Sequence, residues 1–109
     1  MDHEIILLND DNFAEEIYTS KKPVVIEFMA DWCHICKEFQ TKLAELNIFY
    51  EGKVKFAQVN IEDSYRLSEG FKIEKLPTFI IYNDKEPVNY IVGTTSLKHF
   101  KETIDEILE

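Results

Sequence analysis

Two cysteines three residues apart, in the stretch Asp31-Trp32-Cys33-His34-Ile35-Cys36-Lys37, are the only thiols in this 109-residue chain and sit beside its only tryptophan. A Cys-x-x-Cys pair can form half a zinc site, close a structural disulfide, or cycle between dithiol and disulfide. A closed zinc site wants four ligands, and the remaining histidines, His3, His34 and His99, form no second pair. His3, in an unsettled N-terminus, and His99, on the outer side of a helix, read as surface residues. A staple across so short a loop gains the least from chain entropy. Redox chemistry is the best use of the pair, with no metal and no bound cofactor.

The elements around the pair must position it. Val24 to Met29 is apolar and β-branched almost throughout, with Glu27 its one ionisable residue, the pattern of a strand buried on both faces of a parallel sheet. Beyond it, Cys36, Phe39, Leu43, Leu46 and Tyr50 recur at helical spacing, which predicts a helix from about Cys33 towards Gly52. Its first turn carries both sulfurs. A thiolate at a helix N-terminus meets unpaired amide donors and the positive end of the macrodipole, which favour the charged form. Cys33 is placed to be that thiolate. Cys36, one turn in on the apolar stripe, is shielded and suited to resolve a mixed disulfide formed at Cys33.

The rest of the chain alternates in the same manner. Ile5 to Leu8 predicts a short strand, and Asn9-Asp10-Asp11-Asn12 offers caps for a helix of about ten residues carrying Phe13 and Ile17 inward, ended by Lys21-Lys22-Pro23. Val54 to Ile61 reads as a strand, and Glu62-Asp63-Ser64 as the cap of a short helix ending near Gly70. Thr78 to Tyr82 and Val88 to Val92 make a hairpin across Asn83 to Pro87. Thr94-Thr95-Ser96 starts a last helix with Leu97, Phe100, Ile104, Ile107 and Leu108 on one stripe. The order β-α-β-α-β-α-β-β-α predicts an α/β domain spanning residues 1–109, with a mixed five-stranded sheet flanked by four helices.

Composition narrows the partners. A net charge of −9 repels nucleic acid and anionic lipid surfaces. Glu27 interrupts the most apolar stretch, so no run approaches the ~20 residues of a membrane span. The acidic start and its four-residue apolar run predict no secretory signal, hence a cytoplasmic chain if Met1 is the natural start, and the chain is expected to be a monomer.

With these residues in view, the whole chain resembles the thioredoxin family, for which Cys-x-x-Cys beside a βαβ pattern is the recognised redox motif. "VVIEFMADWCHICK" is similar to the family's central strand and active-site turn, "VNIED" to its third strand, "KLPTFIIY" to its cis-proline strand and "YIVGTTS" to its last strand. The resemblance implies a thioredoxin fold and reduction of protein disulfides, with electrons supplied by a separate thioredoxin-reductase-type donor. It also implies that Pro77 is cis and faces the cysteines, that the Leu76 backbone pairs with extended substrate, and that Trp32, Ile35, Leu76 and Gly93 form an apolar docking patch.

By the same resemblance Glu27 stands for a buried aspartate that accepts the resolving thiol's proton, and burial raises its pKa towards that task. The sequence also departs from the family. Gln58 replaces a common lysine near the acid, and Lys75 replaces a small residue before Leu76. His34-Ile35 replaces Gly-Pro, and a histidine there favours the Cys33 thiolate and a less reducing couple. The expected activity is that of a thiol-disulfide reductase working through Cys33 and Cys36. The alternatives are an oxidase or isomerase of the same fold, and a binding adaptor.

Overall fold

Strand β2 (Val24–Met29) has neighbours on both edges and cover on both faces, and every residue from Val24 to Phe28 is buried. The computed structural model describes residues 4–109; His3 lies outside the described residues. Around β2 the sheet runs β1-β3-β2-β4-β5, with β1 (Ile6–Leu8), β3 (Lys55–Asn60), β4 (Thr78–Asn83) and β5 (Glu86–Val92). β1, β3 and β2 are parallel, β4 runs antiparallel to β2, and β5 antiparallel to β4. Among the described residues four helices complete the thioredoxin fold: α1 (Phe13–Thr19), α2 (His34–Phe49), α3 (Tyr65–Gly70) and α4 (Leu97–Leu108).

Alternation along the strands divides the core. Val25, Phe56, Phe79 and Ile81 meet Phe39, Leu43 and Leu46 of α2 and Phe100 and Ile104 of α4 on one face. Val24, Ile26, Phe28, Ala57, Val59 and Ile80 meet Ile17 of α1, with Leu67 of α3 and Phe71 behind it, on the other. The rings of Phe39, Phe79 and Phe100 pack with centroids 5.0–5.9 Å apart. At the end of α2 the Tyr50 hydroxyl donates to Asp105 Oδ1 of α4 at 2.7 Å. Burial and that carboxylate hold the phenol well above its ordinary range.

The structure moves several expected boundaries. Helix α1 is only seven residues, because Ser20 is already extended (ψ 131°) ahead of the Lys21-Lys22-Pro23 break. The Asn9–Asn12 cluster does not cap α1 with a side chain at Asn12; Asn9 Oδ1 instead accepts from the amides of Asp11 and Asn12. Asp10 reaches across to α3, accepting from the amides of Arg66 and Leu67 at 3.2 and 3.0 Å. The Glu62-Asp63-Ser64 cap is thus replaced, since Ser64 makes no side-chain cap bond. The β4–β5 turn is shorter than expected. Asp84 and Lys85 both take positive φ, the twist that suits a two-residue hairpin, and Pro87 lies within β5. An edge strand tolerates that proline, and the pairing of Tyr82 with Pro87 and Ile81 with Asn89 leaves Val88 as the extra residue of a bulge.

Candidate active site

The chain leaves β2 through Ala30, Asp31 and Trp32 and enters α2 with Cys33 as the N-cap, its backbone extended (ψ 101°). Cysteine here does what a capping serine does elsewhere. Its Sγ accepts from the Cys36 amide at 3.1 Å, so a free donor of the first turn points at that sulfur. The Cys33 amide in turn donates to Ala30 O at 3.1 Å, and the Lys37 amide to Cys33 O at 3.2 Å. Cys33 and Cys36 are joined as a disulfide with Cα atoms 5.3 Å apart, and both are buried.

The two sulfurs open to different spaces. Cys33 lines an open groove of about 480 Å³ with Trp32, His34, Ile35, Ile61, Ile73, Glu74, Lys75 and Leu76. Trp32 and Ile35 are exposed apolar side chains on this groove. The groove's far wall is the segment before β4, where the Leu76–Pro77 peptide is cis. Pro77 O accepts from the Gly93 amide at 2.7 Å, and the Thr78 hydroxyl donates to Lys75 O. Gly93 is partly buried and tied to Pro77 by that bond, with a φ of 85° that disfavours any side chain. Lys75 is exposed on the groove's rim. His34 is also exposed, with Nε2 3.4 Å from the Glu38 carboxylate one turn along α2.

Cys36 faces inward, lining a smaller cavity of about 180 Å³ with Glu27, Asp31, Lys37, Gln40 and Gln58. Glu27 is fully buried, next to Gln58 across the parallel β2–β3 pairing and opposite Phe79 of β4. Gln58 Nε2 donates to Glu27 Oε1 at 2.8 Å and to Gln40 Oε1 at 2.9 Å. Glu27 Oε2 is buried without a protein partner. Burial pushes the Glu27 pKa from 4.5 up to about 7, against the smaller downward pull of the Gln58 hydrogen bond. A carboxyl poised there exchanges protons at neutral pH.

The sequence reading missed Ile61 and Ile73 in the groove and Asp31 and Gln40 in the cavity. Gln40 had a signal, since it lies four residues after Cys36 and therefore on the same face of α2.

Against known families, residues 4–106 match the thioredoxin family model. The chain belongs to the thioredoxin family. Among similar thioredoxins, that of Buchnera aphidicola is 34% identical over 104 residues, covering 95% of this chain and 96% of the relative. The thioredoxin of Staphylococcus haemolyticus is 31% identical over 104 residues (95% and 98%), and thioredoxin 1 of a Nostoc species 28% over 101 (93% and 94%). This thioredoxin-family protein is a thiol-disulfide oxidoreductase, a protein-disulfide reductase whose redox couple is Cys33–Cys36.

Proposed function

We propose that residues 1–109 act as one monomeric thioredoxin domain in which Cys33 attacks the substrate, Cys36 resolves the intermediate and Glu27 takes the resolving proton. The observation that carries this division is that Cys33 lines the wide groove while Cys36 lines the separate, smaller pocket that holds the carboxyl. In the reduced protein the Cys33 thiolate attacks one sulfur of a substrate disulfide. The substrate S–S bond breaks, a Cys33–substrate disulfide forms, and the released thiolate picks up a proton. Cys36 then gives its proton to Glu27, and its sulfur bonds Cys33 Sγ and expels the second substrate thiolate. Two electrons pass from the dithiol to the substrate.

Trp32, Ile35, Leu76 and Gly93 form the apolar patch that holds an extended segment of the substrate, and Pro77 shapes its wall. Lys75 sets the charge of the rim. A thioredoxin-reductase-type donor returns the two electrons, and a cytoplasmic setting, where thiols are kept reduced, suits this direction of flow. His34 shifts the couple by favouring the Cys33 thiolate when protonated. Replacing it, His34→Gly, makes the potential more negative by on the order of 10 mV, read in glutathione buffers. A strongly oxidising wild-type potential on the same scale would instead place the protein among thiol oxidases.

Trapping tests the division of labour. A Cys36→Ser protein mixed with a protein disulfide accumulates a mixed disulfide at Cys33, and a Cys33→Ser protein does not. Equal trapping by both variants removes the assignment.

A further inference from the structure

The Gln58 amide nitrogen has two hydrogens, and both are committed: one to Glu27 Oε1 at 2.8 Å, the other to Gln40 Oε1 at 2.9 Å. An amide can turn end over end with little change in shape, and only its partners decide which end faces which group. Glu27 alone does not decide. A carboxylate needs the nitrogen end, but a protonated carboxyl can donate to the oxygen end equally well. The Gln40 carbonyl holds the nitrogen end in place, because turning Gln58 would set two acceptor oxygens against each other unless the Gln40 amide turned with it.

We propose that Gln40 is a positioning residue that, acting through Gln58, keeps one oxygen of Glu27 anchored and leaves the other free to exchange the Cys36 proton. The free oxygen, Oε2, is buried without a protein partner on a side chain that lines the same cavity as Cys36. The inference rests on Glu27 being the resolving base, and it adds that the base is oriented from α2, the helix that also carries both cysteines. Gln40 and Cys36 are one helical turn apart. Thus α2 sets the distance between proton donor and acceptor from both ends. The other charged or titratable groups facing this cavity are Asp31 from the loop and Cys36 and Lys37 from α2, while β3 and β4 present Gln58 and Phe79.

Gln40→Met keeps the side-chain length, removes the acceptor and leaves Asp31, Cys36 and Lys37 in place. Gln40 is exposed, so the variant folds. Two readouts apply: the Glu27 carboxyl titration by carbon NMR, and single-turnover release of an aromatic thiol from Cys33 as Cys36 attacks, followed across pH. With Gln58 free to turn, the Glu27 midpoint rises by about 0.3–0.5 pH unit, and release at pH 6 slows roughly two- to threefold with its high-pH plateau retained. Gln58→Met produces at least as large a shift, and Gln40→Met/Gln58→Met no more than Gln58→Met alone, because Gln40 acts only through Gln58.

An unmoved carboxyl midpoint in Gln40→Met, or shifts that add in the double variant, overturns the inference. A failure of the base assignment looks different. If Glu27→Gln leaves thiol release unchanged at every pH, Glu27 is not the base, whereas a midpoint moved by Gln40→Met still establishes that Gln40 positions it.

Discussion

At the scale of single residues the unusual investment is Glu27, a carboxyl inside a strand with only one of its oxygens hydrogen-bonded. Its folded-state pKa of about 7 exceeds the ordinary 4.5. The folded protein therefore binds more protons than the unfolded chain between these values, and stability at this site falls as pH rises through that window. Below pH 4.5 the cost is absent, and above pH 7 it is complete, at about 3 kcal/mol for a shift of this size. Glu27→Gln removes the slope. Urea unfolding at pH 5 and pH 8 is expected to show the variant gaining about 2–3 kcal/mol on the wild type over that interval. The same variant resolves mixed disulfides more slowly at neutral pH, which single-turnover measurements read directly. A variant whose stability tracks the wild type at both pH values would mean that the Glu27 carboxyl ionises as readily in the folded protein as in the unfolded chain.

At the scale of elements, the short helix α3 owes its start to Asp10, a residue 55 positions upstream of its first turn. Six residues form few internal hydrogen bonds, so the two amides capped from outside weigh heavily. Asp10→Ala is expected to cost about 1–2 kcal/mol and to speed amide exchange at Arg66 and Leu67. Exchange unchanged at those amides would show that water replaces the carboxylate without loss. On the opposite face Phe100 joins α4 to the sheet through Phe39 and Phe79, and Phe100→Ala should lower stability by about 3–5 kcal/mol, with the urea midpoint falling and the slope retained. These elements differ in how far the sequence disclosed them. β2, α2 and α4 were legible because burial on two faces writes an unbroken apolar run into the chain and burial along one stripe writes a helical period. The Asp10 cap, the two-residue turn at Asp84-Lys85 and the bulge at Val88 were not, because each depends on contacts between segments or on backbone torsions. The cysteines and Glu27 stood out in the sequence by type and position. The Gln58–Gln40 link did not, since it forms only when β3 and α2 are stacked.

At the scale of the whole molecule, a net charge of −9 acts on every approaching substrate before the groove does. Two peptide disulfides alike at the cystine but flanked by lysines or by glutamates should react at different rates at low salt, the lysine-flanked one faster, and converge near 0.5 M salt. Equal rates at low salt would mean that the local rim, with Lys75 on it, cancels the global field. The sheet has a charge problem of its own. Glu27 sits beside Gln58 only in the observed pairing of β2 with β3. A slip by one residue would turn each side chain of β2 to the opposite face and drive the carboxyl among Leu8, Ile17 and Val59, where no donor stands ready. Val24 to Phe28 would otherwise be nearly as apolar on one face as on the other. The Glu27 carboxyl thus proofreads the assembly of the sheet, because only the correct alignment gives it a partner.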